Sequence, residues 1–271
     1  MAVSIHKILK NIKSDFDTAI TTARFNGKKY ANGNKAKGAL ICSQRIINYI
    51  HEFIKSEFLR CGVPAHMIYP PIGNSSPEIT IKGLLKSKNQ DVSIIPTKEL
   101  VALTKTGTPE LKKVLTVNIR SQLSSLGKNI DTLYERTFAE ALNLHLSYPK
   151  QCLGEVYLIP THEYDGKAMV QNKVVFNKSP SKIEDYIRMF QAINNRRSIG
   201  GNEYYKYERV CLLIADFRQK TPKLYNSIKE LKRDKLISIK ATVSLDALTA
   251  DHFAENLLDV YVDRFGQGVF L

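Results

Sequence analysis

Two kinds of apolar segment alternate along this chain, and their order restricts it to one class of fold. Residues 114–120, VLTVNIR, and residues 152–160, CLGEVYLIP, are short and rich in β-branched residues, which is typical of buried strands. Residues 132–148, TLYERTFAEALNLHLSY, lie between them and carry apolar side chains at helical spacing. This order predicts an α/β fold in which helices flank a mixed central β-sheet.

Further segments extend the pattern in both directions. Apolar spacing predicts a helix that ends at Gly62, extended segments at 78–88 and 90–96, and a buried strand at 207–217. Additional helices are predicted at 182–193, 221–237 and 250–265, and Asp131 or Thr132 is expected to cap the helix at 132–148. Since no linker separates these segments, we expect a single domain, 1–271, with a helical part (1–60), a core (61–165) and a remainder (166–271).

The charge of the chain points to a polyanionic partner. The formal net charge is +14 and the pI is about 9.5, which favours nucleic acid or an acidic surface.

The amphipathic N-terminus resembles neither a secretory signal nor a membrane span, so we expect a cytoplasmic protein without a membrane partner. A Gly- and Asn-rich stretch carries Lys28, Lys29, Lys35 and Lys37; it predicts either a flexible arm along DNA phosphates or a solvated face.

Polar side chains occur at the predicted strand ends of the core. Asp91 opens an apolar strand, and Asn118, Arg120 and Gln122 alternate along one face of another. Carboxylates can hold Mg²⁺, while a fixed cation stabilises the charge that develops on phosphorus during phosphodiester hydrolysis. The pattern is compatible with such chemistry, although Asp91 could also be a turn residue.

The run from QDVSIIP through VNIRSQLSSLGKN and LYERTFAEALNLH to LGEVYLIP resembles type II restriction endonucleases of the PD-(D/E)XK superfamily. Asp91 matches the family's first acid, Arg120 its lysine, and Ser121 and Gln122 the residues that often follow. Asn118 departs from the family by standing where the second acid is usual, and arginine replaces lysine at Arg120. The resemblance implies a restriction-endonuclease-like core, Mg²⁺ as cofactor, double-stranded DNA as substrate, a homodimer, and a cognate DNA methyltransferase in the same system.

The resemblance also implies where a second carboxylate comes from, since some members take it from the helix that follows the lysine. Glu135 is expected to fill this role together with Asp91, and the backbone carbonyl of Ile119 is expected to serve as a neutral metal ligand. A surface pair of Glu135 with Arg136 is the alternative. Glu155 is expected to point away from Asp91, with a second candidate acid as the alternative, and Glu52 is expected to be solvated, with a place in the metal shell as the alternative.

Residues 193–210, INNRRSIGGNEYYKYERV, offer candidates for base recognition. Arg196 and Arg197 could make bidentate contacts to base edges, and a plain solvated loop is the alternative. The leading functional expectation is a sequence-specific, Mg²⁺-dependent endonuclease of double-stranded DNA. A non-catalytic DNA-binding protein on the same scaffold and a nuclease for damaged or branched DNA are the other hypotheses.

Overall fold

A computed structural model describes residues 4–270 of the chain. Its strands are β1 (Arg24–Phe25), β2 (Lys28–Lys29), β3 (Ile68–Tyr69), β4 (Ile79–Lys82), β5 (Ser87–Gln90), β6 (Val92–Ile94), β7 (Leu115–Ser121), β8 (Cys152–Pro160), β9 (Arg209–Asp216) and β10 (Lys223–Tyr225). Its α-helices are α1 (Ile5–Thr22), α2 (Gly33–Cys42), α3 (Arg45–Arg60), α4 (Lys98–Leu103), α5 (Leu126–His145), α6 (Gly166–Val170), α7 (Ile183–Ile193), α8 (Ile228–Arg233) and α9 (Phe253–Phe265).

Six strands form a central sheet in the order β10-β9-β8-β7-β6-β3. The strands β7, β8 and β9 run parallel, whereas β6 pairs antiparallel with β7 and β10 pairs antiparallel with β9. Every residue of β8 is buried, as expected for a parallel strand that is covered on both faces. The predicted α/β class, with a mixed sheet flanked by helices, is confirmed.

A hydrophobic core lies on each face of this sheet, because successive side chains of a strand point to opposite faces. Val117 and Val156 face a core shared with α1, α3 and α9, whereas Leu153 and Tyr157 face a core shared with α5 and α7. Gly154 lies beneath α9, where an added Cβ atom would come within 2.9 Å of Leu257 Cδ2. The helix can therefore approach the sheet closely at this point.

The start of α5 differs from the prediction. The helix begins at Leu126, after Ser125, rather than at Asp131 or Thr132. The Glu163 carboxylate accepts hydrogen bonds from the backbone N–H groups of Ser125 (2.8 Å) and Leu126 (2.9 Å). An acid at this position satisfies helix N–H groups and complements the helix dipole. Because Glu163 is distant in sequence, local patterns could not reveal this cap.

Two other segments also differ from their predictions. The basic stretch is an ordered β1–β2 hairpin followed by α2, rather than a flexible arm. Residues 221–237 contain β10 as well as the short helix α8, because residues 223–225 pair with 214–216 at the edge of the sheet. This tertiary pairing overrides the helical pattern. Between residues 4 and 270, none of the helices has the length and apolar character needed to span a membrane.

Candidate active-site cleft

A cleft of about 780 Å³ opens where β7 leaves the central sheet. Its walls come from the start of α3, the β4–β5 hairpin, the second half of β7 and one face of α5. The cleft contains both acidic and basic side chains, and the basic ones include Lys86, Lys88, Arg120 and Arg136.

Asp91 lies where the chain leaves β5 and enters β6. The two strands belong to different sheets, since β5 pairs with β4 and β6 pairs with β7. Asp91 Oδ2 accepts a hydrogen bond from the Ile119 backbone N–H at 2.6 Å, and its Oδ1 lies 3.5 Å from His51 Nε2. Asp91 is thus fixed against β7, and the alternative of a hairpin-turn residue does not hold.

Three polar residues form a row across neighbouring strands. Val92 pairs with Val117, so the register places Asp91 next to Asn118, and Asn118 itself pairs with Glu155 on β8. Paired residues of adjacent strands project to the same face of a sheet. The prediction that Glu155 points away from Asp91 is therefore wrong. The relative orientation of Glu155 and Asp91 follows from the register of the strands, which the sequence alone does not give.

Arg120 is two residues beyond Asn118 and forms ion pairs with two acids. Its Nη1 donates to Glu155 Oε1 at 2.6 Å, and its Nη2 donates to Glu140 Oε2. Lys88 Nζ lies 3.3 Å from the same Glu140 oxygen. Burial alone would lower the pKa of Arg120, but the Glu155 and Glu140 carboxylates outweigh it and raise the pKa. Arg120 is therefore a permanently charged cation at the floor of the cleft.

The buried environment of Glu155 disfavours the ionised form of its carboxyl group. Burial raises its pKa to about 8; Arg120 opposes this shift, while Glu140 and Asp91 add to it. Among residues 4–270, its buried Oε2 atom has no hydrogen-bond partner. A buried carboxylate needs a compensating cation or proton, and the ion pair with Arg120 offsets the burial of Glu155 only in part, so its pKa stays raised.

Glu135 lies outside the cleft, which corrects its predicted position beside Asp91. The face of α5 that lines the cleft carries Leu133, Arg136 and Glu140, at helical spacing, whereas Glu135 is exposed on another face. Glu140 is 3 % exposed and contacts Arg120 instead. The rotation of α5 about its axis determines which of the two glutamates faces the cleft, and this rotation depends on how α5 packs on the sheet.

The other predicted cleft residues are present with different local roles. Asn118 and Gln122 both line the cleft, and Gln122 Nε2 donates a hydrogen bond to the Ser124 carbonyl. Ile119 provides a backbone N–H to Asp91; metal binding by its carbonyl stays a prediction. Glu52 is engaged elsewhere, because it forms an ion pair with Lys55 and accepts a hydrogen bond from the Gly73 N–H at 3.0 Å.

Two groups near Asp91, one in the cleft and one buried behind it, were missed by the sequence reasoning. Glu78 lines the cleft just before β4, and its pKa is raised by burial and by the charge of Asp91. His51 is buried at 1 % exposure directly behind Asp91. Neither belongs to a recognisable motif, and only their helical or strand positions could have suggested them.

The predicted DNA contacts are only partly at the surface. Lys28, Lys29 and Lys35 are exposed. Lys37 is 3 % exposed, with its Nζ 3.5 Å from the Leu123 carbonyl. Burial lowers its pKa to about 8, opposed by Glu163. The prediction that Lys37 lies along phosphates is therefore corrected.

The two candidate base-reading arginines differ sharply in exposure. Arg197 is exposed, but Arg196 is 1 % exposed, and its Nη1 donates to the buried Glu208 Oε1 at 3.0 Å. Arg264 Nη2 contacts the same Glu208 oxygen at 2.8 Å. Arg196 thus anchors its loop to the core and is not presented to a base, which corrects its predicted role. The ion-pair partners were not evident from the sequence.

The Mg²⁺ that the resemblance implies would need oxygen donors in or beside the cleft. Within the part of the chain that the structure describes, no three His, Cys, Asp or Glu side chains are already arranged to hold a metal ion. However, Mg²⁺ is commonly held by one or two carboxylates, with water and substrate phosphates completing its shell. Asp91 lines the cleft, and Glu155 is buried beside Arg120 with an Oε2 atom that has no hydrogen-bond partner among residues 4–270, so both carboxyl groups offer oxygen donors to a cation. The donor chemistry therefore fits.

Comparisons with protein-family models, with curated proteins and with solved structures found no match to this chain.

Proposed function

We propose that the protein is a sequence-specific endonuclease that hydrolyses phosphodiester bonds of double-stranded DNA and requires Mg²⁺. The observation that carries this proposal is the row of Asp91, Asn118 and Glu155, in which Asp91 and Asn118 line an open cleft together with Arg120, and Glu155 is buried next to Arg120. Acidic oxygen donors next to a fixed cation are what phosphodiester hydrolysis requires. The net charge of +14 favours a polyanionic substrate.

The cleft residues and the buried Glu155 have distinct roles in this proposal. Asp91 and Glu155 would hold the metal, with the side-chain oxygen of Asn118 between them. The bound metal would activate water and offset charge on the phosphate. Arg120 would stabilise the negative charge that develops on phosphorus. Lys86 and Lys88 would bind phosphates at the cleft wall.

The acid assignment replaces Glu135 with Glu155 and can be tested with matched variants. Glu155→Gln and Asp91→Ala should abolish cleavage of plasmid DNA in Mg²⁺. Glu135→Gln removes a carboxylate of the same type from the outer face of α5 and should cleave at the wild-type rate. The assignment fails if Glu155→Gln cuts normally or if Glu135→Gln is inactive.

A second candidate function is DNA binding without cleavage. It is favoured by two observations: Asn118 supplies no negative charge where an acid is usual, and both terminal nitrogens of Arg120 are engaged by carboxylates. Incubation of purified protein with plasmid DNA and Mg²⁺ separates the two functions. Discrete fragments with a common end sequence support the endonuclease, whereas retarded but intact DNA supports the binding protein.

The proposal extends to partners. A DNA site with two-fold symmetry is contacted equally on both strands by a protein with two-fold symmetry, so we expect a homodimer on DNA. A restriction enzyme also needs protection of the host genome, so a DNA methyltransferase gene should lie beside the gene for this chain. Sedimentation of the protein with and without a DNA duplex measures the first expectation, and inspection of the neighbouring genes tests the second.

A further inference from the structure

The β4–β5 hairpin presents apolar side chains to solvent at the edge of the cleft. Its tip, residues 83–86, carries Leu84 at 55 % exposure and Leu85 at 91 % exposure. The β5 strand that follows contributes Lys88 and Asn89 to the cleft wall. The two adjacent leucines form an exposed apolar patch rimmed by polar residues of the cleft, which is the character of an interaction site.

The hairpin tip is held rigidly, which distinguishes it from a disordered loop. Asn143 on α5 uses its main-chain carbonyl and its side chain for this purpose. Its carbonyl accepts from the Leu84 N–H at 2.9 Å, and its Oδ1 accepts from the N–H groups of Leu85 (2.9 Å) and Lys86 (3.1 Å). Its Nδ2 donates to the Lys86 carbonyl at 2.8 Å.

Gly83 allows this close contact between the tip and α5. A Cβ atom at Gly83 would lie 2.1 Å from Asn143 Nδ2, so any larger residue would displace the Asn143 side chain. The tip is thus fixed in place before a partner arrives, and less conformational entropy is lost on binding.

The charge around the tip indicates the kind of partner. The segment 79–90 contains Lys82, Lys86 and Lys88 and no acidic residue. Lysines flanking an exposed leucine match the arrangement of a nucleic-acid duplex, where phosphates border an apolar stack of bases. Leucine side chains serve as wedges between base steps in proteins that unstack and kink DNA.

On the basis of the proposed function, we infer that the hairpin tip is a DNA wedge: Leu85 inserts between base pairs of the bound duplex while Lys82 and Lys86 contact the adjacent phosphates. Insertion untwists and kinks the duplex beside the cleft. The energy needed to unstack one base step is similar to that gained by burying a leucine. The wedge therefore changes the shape of the DNA more than the affinity.

The test measures untwisting in closed circular DNA, which needs no knowledge of the recognition sequence. Relaxed plasmid is incubated with saturating protein in EDTA, so that no cleavage occurs, and is treated with a topoisomerase that needs no divalent metal. Wild-type protein should lower the linking number of the deproteinised plasmid. Leu85→Ser should lose this shift at saturation while its affinity falls by less than about tenfold, since the two energies nearly cancel.

Two further variants make the result specific. Leu85→Phe keeps an apolar wedge and should keep the shift. Ile239→Ser removes another exposed apolar side chain, 75 % exposed and not part of the cleft wall, and should behave as wild type.

Three outcomes would overturn the wedge. The first is a linking-number result that does not depend on Leu85. Either wild-type protein retards the plasmid without shifting its linking number, or Leu85→Ser produces the full shift, and either result refutes the wedge while leaving DNA binding intact. The second is a dimer that Leu85→Ser separates into monomers on sedimentation without DNA, which would make the tip a subunit contact. The third is no retardation of plasmid by wild-type protein, which refutes DNA binding itself and the wedge with it.

Discussion

Removing the ionisable group of Glu155 should change how the stability of the protein depends on pH. In the folded state, burial raises the pKa of Glu155 from an ordinary value of 4.5 to about 8. The folded chain therefore keeps this proton over a pH range in which the unfolded chain has lost it. The resulting contribution to stability is complete below about pH 4.5 and is lost as pH rises to about 8.

The size of the effect follows from that interval. About 3.5 pH units at about 1.36 kcal/mol per unit correspond to about 5 kcal/mol. Glu155→Gln keeps the shape and the acceptor towards Arg120 but cannot ionise. The free energy of unfolding of wild type, relative to the variant, should thus decrease by up to about 5 kcal/mol between pH 4.5 and pH 8.

Urea denaturation in EDTA at pH 5, 6, 7 and 8 measures this difference directly. Glu135→Gln is the control, because its side chain is exposed and its removal should leave the profile parallel to that of wild type. If the profiles of wild type and Glu155→Gln run parallel over this range, the buried, unsatisfied state of Glu155 is wrong. The proposal that Glu155 binds a metal ion would then fail, because it depends on this buried carboxyl group.

Three other outcomes are expected. Arg120→Lys should cleave plasmid DNA measurably but more slowly, since an ammonium replaces the charge without the forked hydrogen bonds of a guanidinium; wild-type cutting by Arg120→Ala would instead make the residue structural. Replacing Lys28, Lys29 and Lys35 together with Gln should weaken binding to all DNA sequences. The slope of the logarithm of affinity against the logarithm of salt concentration should become shallower by about 0.9 per lost phosphate contact. An unchanged slope would mean that these lysines do not contact the DNA backbone. Gly154→Ala should lower the free energy of unfolding in urea by about 1–3 kcal/mol through overpacking against α9, and an unchanged midpoint would show that α9 adjusts freely.

Much of the fold was predictable because it depends on local patterns. The alternation of apolar and polar residues along β7 correctly predicted a strand that delivers Asn118 and Arg120 to one face, and the apolar run of β8 correctly predicted a buried strand. Asp91 was also correctly placed at the start of a strand that pairs with β7. In each case the decisive information lies within a few residues.

The parts of the cleft that could not be predicted depend on distant contacts. Whether Glu155 faces Asp91 is decided by the register between β7 and β8, and whether Glu135 or Glu140 enters the cleft is decided by the rotation of α5 on the sheet. Arg196 was predicted to read bases because arginine can make bidentate contacts to base edges, but Glu208 holds it in the interior. A single sequence contains no direct signal for these arrangements.

The cap that Glu163 places on α5 makes the cleft depend on a residue that is not part of it. The residues that line the cleft all lie between 44 and 157, and a fragment ending there would appear to carry the whole site. Such a fragment would lack the carboxylate that fixes the first turn of α5. During synthesis, α5 therefore leaves the ribosome before its cap does, and its first turn is secured only once the chain beyond β8 has been made. Minimal versions of this protein should extend past Glu163 if the cleft is to keep its shape.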